Sequence, residues 1–311
     1  MSGSSSALLT VAGLAQLAAR QAQVVTRTQL AELGVNRFHV ASQLSARRWQ
    51  LGAPEVLVLY SGPLSPDTRL WLGVLAATAP AAIGAWTGLA LHGLRGWERP
   101  GMHLVVRRGS RPPRLAGFVV HESRRPAPED IESRRGLPVH RVERCAIDAA
   151  AWQTSPRTAV GLLAAVVQQR LTTPERLWEQ LDRVGKVRFH RLMRASIADI
   201  RGGADALSEI DFSALCDEHG FPSPHRQVRR QDARGLWRFL DAEWDLPGGR
   251  RLVVEIDGIG HMEATRWYDD LLRGAELGPD EGTVTIRLPA AAARIEPLRV
   301  VRILERYLQR T

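Results

Sequence analysis

The stretch Phe239–Asp257, FLDAEWDLPGGRRLVVEID, decides how the C-terminal third of this 311-residue chain is read. Two runs rich in strand formers flank Pro247-Gly248-Gly249, a strong turn signal because glycine tolerates backbone angles closed to other residues. The pattern predicts a β-hairpin. Pairing Leu246 with Arg251 across the turn would set Asp241 opposite Ile256 and diagonal to Glu255, bringing two carboxylates together. Side chains alternate along a strand, so Val253, Glu255 and Asp257 share one face and Leu252, Val254 and Ile256 the other.

Neighbouring carboxylates repel unless a positive charge stands between them. A hard divalent cation, Mg2+ or Mn2+, meets that need with Asp241, Glu255 and the backbone carbonyl of Ile256 as oxygen ligands. Bound so, it would polarise a phosphodiester and acidify an attacking water. Arg238, Arg250 or Arg251 would instead satisfy the pair with no metal at all. Just upstream, SEIDFSALCDEHG (208–220) predicts a helix that Gly220 terminates and Pro222 cannot extend.

The opening of the chain has a different pattern. Leu9, Ala12, Leu14 and Leu17 recur near helical spacing over residues 8–21. Thr26 and Gln29 form a capping box that opens a short helix through Leu33, Gly34 ends it, and Asn36 caps a third helix, RFHVASQLSARRW (37–49). EVLVLY (55–60) follows as a wing strand. Three helices and a strand at this spacing predict a winged helix-turn-helix over residues 7–62. Val40 and Leu44 would pack inward, leaving Arg37, Gln43, Arg47 and Arg48 to reach a DNA groove. The plainer alternative is a small helical cap that binds nothing.

Between these ends, residues 63–94 read as Ala/Leu-rich helix, with His92 a packed helix-end histidine. MHLVVRRG (102–109) and GFVVHES (117–123) read as an antiparallel pair of strands, and residues 146–204 return to helix, with Thr173 before Pro174 opening its last predicted segment. Cys145 and Cys216 stand in no metal-binding spacing and are too few for a disulfide framework, which points to buried thiols in a reducing, cytoplasmic setting. No export signal and no membrane-spanning run is expected.

Charge separates the two parts. Residues 1–204 hold 27 basic and 14 acidic residues, a net +13, whereas residues 205–311 hold 15 and 19, a net −4. A basic front suits a polyanion, because arginines that neutralise phosphates release counterions; a solvated Arg-rich surface accounts for the same count.

The run around Gln227, then FLDAEW, LVVEIDGIGHM, WYDDLLRGAEL and TVTIRLPA, resembles the Vsr-like endonuclease domain of the PD-(D/E)xK restriction-endonuclease fold, over residues 205–311. The front of the chain, through TRTQLAELG, GAWTGLALHGL and GLPVHRVERCAIDAAAW, is similar to AbiEi-type antitoxins of type IV toxin-antitoxin systems. Together these resemblances imply an α+β multidomain protein: a winged helix at 7–62, an antitoxin-like α/β region at 63–204, and a restriction-endonuclease-like α/β core of helix, three strands, helix and strand at 205–311.

The nuclease resemblance makes Asp241 and Glu255 the metal-binding acids and leaves Glu209 or Asp211 as the acid of the first helix. It matches Asp257 and His261 to an E-x-D-G-x-x-H signature, and Asp270 and Arg273 to the helix after it. His261 would serve as general base, as a phosphate ligand, or only as a structural residue. One departure stands out: Lys186 is the only lysine, and Asp257 occupies the position of the motif lysine. His261, Gln227 or Arg273 would have to substitute, or the site is a relic. The expected function is therefore Mg2+-dependent or Mn2+-dependent DNA cleavage by a DNA-binding protein. The alternatives are a non-catalytic, antitoxin-like regulator of operator DNA, and a module that binds a cognate toxin or other protein.

Overall fold

The structure is a computed structural model that describes residues 12–77, 80–110, 115–125, 127–202, 205–231, 237–257, 283–289 and 291–308, with backbone alone at 202, 205–210, 227–231, 237–240 and 257. The chain is α+β, with helices and, among the described residues, three sheets. It divides into two compact units, Met1–Asp148 and Ala149–Thr311. No helix among the described residues is long and apolar enough to cross a membrane.

In the first unit, helix α1 (residues 12–20) leads through strand β1 (Val24–Thr26) into α2 (Arg27–Glu32) and α3 (Arg37–Ser45). The capping box forms: the Gln29 backbone N–H donates to Thr26 Oγ1 at 3.1 Å, and the Thr26 N–H donates to Gln29 Oε1 at 2.9 Å. Asn36 caps α3 by accepting from the His39 N–H at 2.8 Å. Strands β2 (Gln50–Ala53) and β3 (Val56–Val58) follow, and β3 lies between β1 and β2 in an antiparallel sheet. Val25, Leu30, Val40 and Leu57 form the core under these elements, with Leu14, Leu17 and Leu44 packed against it.

Helix α3 is shorter than the sequence predicts. Its end is a Schellman turn: the Arg47 N–H donates to Leu44 O and the Arg48 N–H to Gln43 O, each at 3.0 Å, with Arg47 in the left-handed region at φ 54°. Propensity favours arginine in a helix, and the turn that stops α3 is set instead by the need to swing Trp49 and β2 back onto the sheet.

The rest of the unit is a five-stranded sheet of order β6-β5-β4-β8-β7, built from β4 (Ala81–Ile83), β5 (Met102–Arg107), β6 (Phe118–Ser123), β7 (Ile131–Arg134) and β8 (Leu137–His140). Helix α4 (Pro66–Ala76) buries Leu72 and Trp71 in the same core as Ile83, Leu104 and Val139. Two expectations are corrected here. Residues 63–94 are not helical throughout: Ala81–Ile83 is a fully buried strand between β5 and β8, ahead of α5 (Ala85–Leu91). Alanine reads as helical in isolation, and burial between two strands overrides it. Strands β5 and β6 pair in parallel, from Met102↔Phe118 to Arg107↔Ser123. That pairing puts Leu104 beside Val120 toward the α4 core, which an exposed hairpin arm would not do.

Helix α6 (Val142–Ala151) carries Arg144, only 1% exposed. Its guanidinium donates to Asp148 and Asp130 at 2.8 Å each, to the Arg125 carbonyl at 2.8 Å, and to Ser123 Oγ at 3.2 Å. Two carboxylates and two further oxygens compensate a buried charge that would otherwise cost several kcal/mol. His92, at the end of α5, hydrogen-bonds the His140 carbonyl at 2.8 Å. Burial holds Cys145 well above the usual thiol range, and Cys216 is pushed up to about 12 by the same cause, so both are inert thiols.

In the second unit, α7 (Pro156–Gln168), α8 (Pro174–Val184) and α9 (His190–Gly202) precede α10 (Asp205–Glu218). Thr173 caps α8 with Pro174 at its first position. A four-stranded sheet then forms from β9 (His225–Gln231), β10 (Trp237–Leu246), β11 (Arg250–Asp257) and β12 (Thr283–Pro289), in the order β12-β11-β10-β9. The chain closes with α11 (Ala292–Ile295) and α12 (Pro297–Glu305). Phe212 and Leu215 of α10, and Val300 and Leu304 of α12, meet Trp244, Leu252 and Val254 in one core. Each such side chain contributes roughly 1.5–3 kcal/mol by leaving water.

Candidate functional site

The hairpin turn uses three residues, Pro247–Gly249, with Gly248 at φ 80° and Gly249 at φ 73°. It pairs Leu246 with Arg250 and, four pairs further along the ladder, Ala242 with Val254. This is one residue away from the expected register, so the next position sets Asp241 opposite Glu255 and not opposite Ile256. The hydrophobic pattern decides it. In the observed register Ala242, Trp244 and Leu246 lie on the same face as Leu252, Val254 and Ile256, all in the core. A slip by one would place one strand's apolar stripe beside the other strand's charges.

The opposite face collects the polar groups. In β9 the pairs Leu240↔Val228 and Ala242↔Arg226 bracket Asp241, which therefore lies across from Gln227. In β12, Arg287 is the parallel partner of Glu255. Gln227, Asp241, Glu255 and Arg287 thus form one row across all four strands. Asp257 lies two positions beyond Glu255 on β11, at a register position of the same face.

Within the row, the Ile256 backbone N–H donates to Asp241 Oδ2 at 2.6 Å. Arg287 Nε donates to Glu255 Oε2 at 2.8 Å, with the two side chains 60% and 29% exposed. Among the described residues the cation on Glu255 is Arg287; the Arg238 side chain lies outside them. Glu243 stands one row along from Asp241, only 2% exposed, with Arg251 Nη1 at 4.0 Å from its carboxylate. His225, the β9 partner of Glu243, has its Nε2 3.6 Å from Oδ2 of Asp245 at the next row. Sequence reading passed over Glu243 and Arg287. Counting by two from Asp241 finds the first, whereas only the parallel pairing of β11 with β12 reveals the second.

Two adjacent carboxylates with a glutamine position beside them make an oxygen donor set. Mg2+ is commonly held by one or two carboxylates, its remaining positions going to water and substrate phosphate. Asp241 and Glu255 fit that pattern, with the Ile256 N–H and Arg287 orienting them. Among the described residues no group of three or more His, Cys, Asp or Glu side chains converges as a metal cluster.

The other sequence-derived candidates divide clearly. Asp211 accepts from Arg294 Nε, and Arg294 Nη1 also donates to Asp199 at 2.6 Å, so this carboxylate is tied to α9 and α11. Burial raises the Asp199 carboxyl while Arg294 opposes that shift. The Glu209 and Gln227 side chains, and all of His261, Asp270 and Arg273, lie outside the described residues.

In the first unit, Arg37, Arg47 and Arg48 are all exposed, and Val40 is buried as expected. Arg47 and Arg48 extend from the turn after α3 and not from the helix itself. Gln43 is half-buried, its Nε2 3.3 Å from His39 Nε2, and His39 meets the edge of Trp49 at 5.7 Å. The sequence reading missed Phe38, which is 71% exposed with the Arg37 guanidinium 5.0 Å over its ring.

No family model and no curated protein matches this chain. The crystal structure of the RV2827C protein from Mycobacterium tuberculosis is similar at 17% identity and a TM-score of 0.41, covering 72% of this chain and 88% of that one. A likeness this distant carries no argument about fold or function.

Proposed function

We propose that this chain is a DNA-binding protein whose C-terminal sheet hydrolyses phosphodiester bonds with the help of a divalent metal. The observation that carries the reading is the row of Gln227, Asp241, Glu255 and Arg287 across four strands. Acidic residues on one sheet face, backed by an apolar core on the other, make a rigid platform on which two carboxylates are held without freedom to separate. Helix α10 and strands β9, β10, β11 and β12 supply the first helix and the strands expected of a restriction-endonuclease-like core, whose second helix was expected at positions outside the described residues. Helices α1, α2 and α3 with β3 supply the three helices and the strand expected of a winged helix, with β1 and β2 in addition.

Asp241 and Glu255 would hold Mg2+ or Mn2+, which supplies charge neutralisation and an acidified water. The chain's own groups do the remaining work. The Ile256 N–H fixes one oxygen of Asp241, and Arg287 fixes one oxygen of Glu255, so neither carboxylate must reorganise on binding. In the reaction a water oxygen bonds to phosphorus, one P–O ester bond breaks, and the leaving oxygen takes a proton, giving a phosphomonoester and a hydroxyl. Arg37, Arg47 and Arg48 would meet duplex phosphates and bring the substrate to the protein.

The test is cleavage of an end-labelled DNA duplex by the full chain with Mg2+ or Mn2+. Cleavage that EDTA stops supports the reading. A folded chain that shifts DNA and leaves it intact favours a second reading, a non-catalytic regulator, to which the ion pairing of Glu255 by Arg287 also lends support.

A further inference from the structure

We propose that Arg287 is the cationic catalytic group of this site, holding Glu255 through Nε and presenting its Nη atoms to the scissile phosphate. This rests on the nuclease reading above.

The chain has a single lysine, Lys186, so any fixed cation at the site other than a histidinium must be an arginine. Arg287 is held at one end of the row by Glu255, and its Nη atoms engage no partner among the described residues. It is 60% exposed, so a phosphate can reach it. The need for it is electrostatic. Asp241, Glu243 and Glu255 share this face, and a phosphodiester approaching three carboxylates is repelled unless cations offset them. Arg251 stands two rows away, its Nη1 4.0 Å from the Glu243 carboxylate.

Arginine also limits the role. Its guanidinium does not give up a proton at neutral pH, so Arg287 cannot be the general base. It donates hydrogen bonds to the non-bridging oxygens, and those bonds strengthen as negative charge builds on phosphorus in the transition state. The water proton leaves by another group. The same guanidinium lies close to where a metal would sit on Glu255, so it opposes metal binding while assisting the chemistry. A residue that only braced the sheet would not divide its effects this way.

The experiment compares the full-length wild type with Arg287→Ala, Arg287→Gln and Arg287→Lys. Plasmid nicking is followed at saturating Mn2+, and Mn2+ binding is followed by the electron paramagnetic resonance of the free ion. Arg287→Ala and Arg287→Gln are expected to lose about 100-fold in nicking rate. Both should bind Mn2+ at least as tightly as wild type, and Arg287→Lys should stay within about tenfold of the wild-type rate. Should Arg287→Ala not fold by circular dichroism, the length-matched Arg287→Gln decides. Nicking within about threefold of wild type in the uncharged variants overturns the proposal and leaves the nuclease reading standing. A loss of Mn2+ affinity that accounts for the whole loss of rate also overturns it, reducing Arg287 to a brace for Glu255. A folded wild type that does not nick takes down the nuclease reading, and this proposal with it.

Discussion

Arg287 Nε lies 2.8 Å from Glu255 Oε2, across a parallel pair of strands whose members are 32 positions apart in sequence. The antiparallel neighbour of Glu255 on its other side brings Asp241 to the same row. No single strand carries the site. The arrangement exists because the core requires alternate residues of β10, β11 and β12 to face inward, which forces the intervening charged residues to share the other face.

The exposed arginines around α3 are expected to set DNA affinity. Arg37→Ala and Arg48→Ala should each weaken binding to duplex DNA and reduce the slope of log affinity against log salt by about one. Fluorescence anisotropy across a salt series measures both quantities. Unchanged slopes in both variants would remove this face from the interface.

Arg47 has a left-handed backbone at φ 54° in the turn that ends α3. A glycine adopts that conformation without the steric cost, so Arg47→Gly should stabilise the protein by about 0.5–1 kcal/mol while weakening DNA binding. Chemical denaturation and anisotropy on the same preparation separate the effects. A destabilised Arg47→Gly would mean that the side chain contributes packing that the backbone argument omits.

Arg144 should be among the most costly single positions in the first unit. Arg144→Ala leaves Asp130 and Asp148 buried without their shared cation and is expected to lose about 3–5 kcal/mol. Urea titration monitored by circular dichroism would show it, and a loss below about 1 kcal/mol would contradict the buried network.

Stability should fall on acidification. His121 is held down to about 4 by burial and then by its neighbour His103, and His140 to about 4 by burial and then by Arg144. Above the ordinary histidine value near 6.5 both are neutral in either state and stability is complete. As pH drops from there toward 4, the unfolded chain binds protons that the folded chain refuses, so folding is disfavoured by roughly 2 kcal/mol per histidine once partial exposure is allowed for. The buried Asp148 carboxyl, which is raised, works in the opposite sense near His140. His121 therefore gives the clearer test: the melting temperature should drop between pH 7.5 and 5, and drop less in His121→Asn. Equal melting at both pH values would contradict the burial argument.

Local signals in the sequence carried much of the fold. Thr26 with Gln29, Asn36 and Thr173 with Pro174 each cap the helix they announce, because a cap depends on residues within one turn. Non-local choices were harder to read. Pro247-Gly248-Gly249 announced the hairpin, but four-residue and three-residue turns through it differ only in register, and the register follows from how Trp244 and Leu252 meet a core that other elements complete. Ala81–Ile83 reads as helix until its neighbours on both sides are known. At the site, Asp241 and Glu255 were legible because the hairpin links them directly. Arg287 was not, since a parallel partner is fixed by the sheet and leaves no mark near the residue itself.

The most direct test of the account is nicking of supercoiled plasmid with Mg2+ or Mn2+ by wild type, Asp241→Ala and Glu255→Ala, prepared identically. The account predicts nicking by wild type that disappears with EDTA and falls by at least about 100-fold in both variants. Equal nicking by all three proteins, or none from a folded wild type that binds DNA, would contradict it.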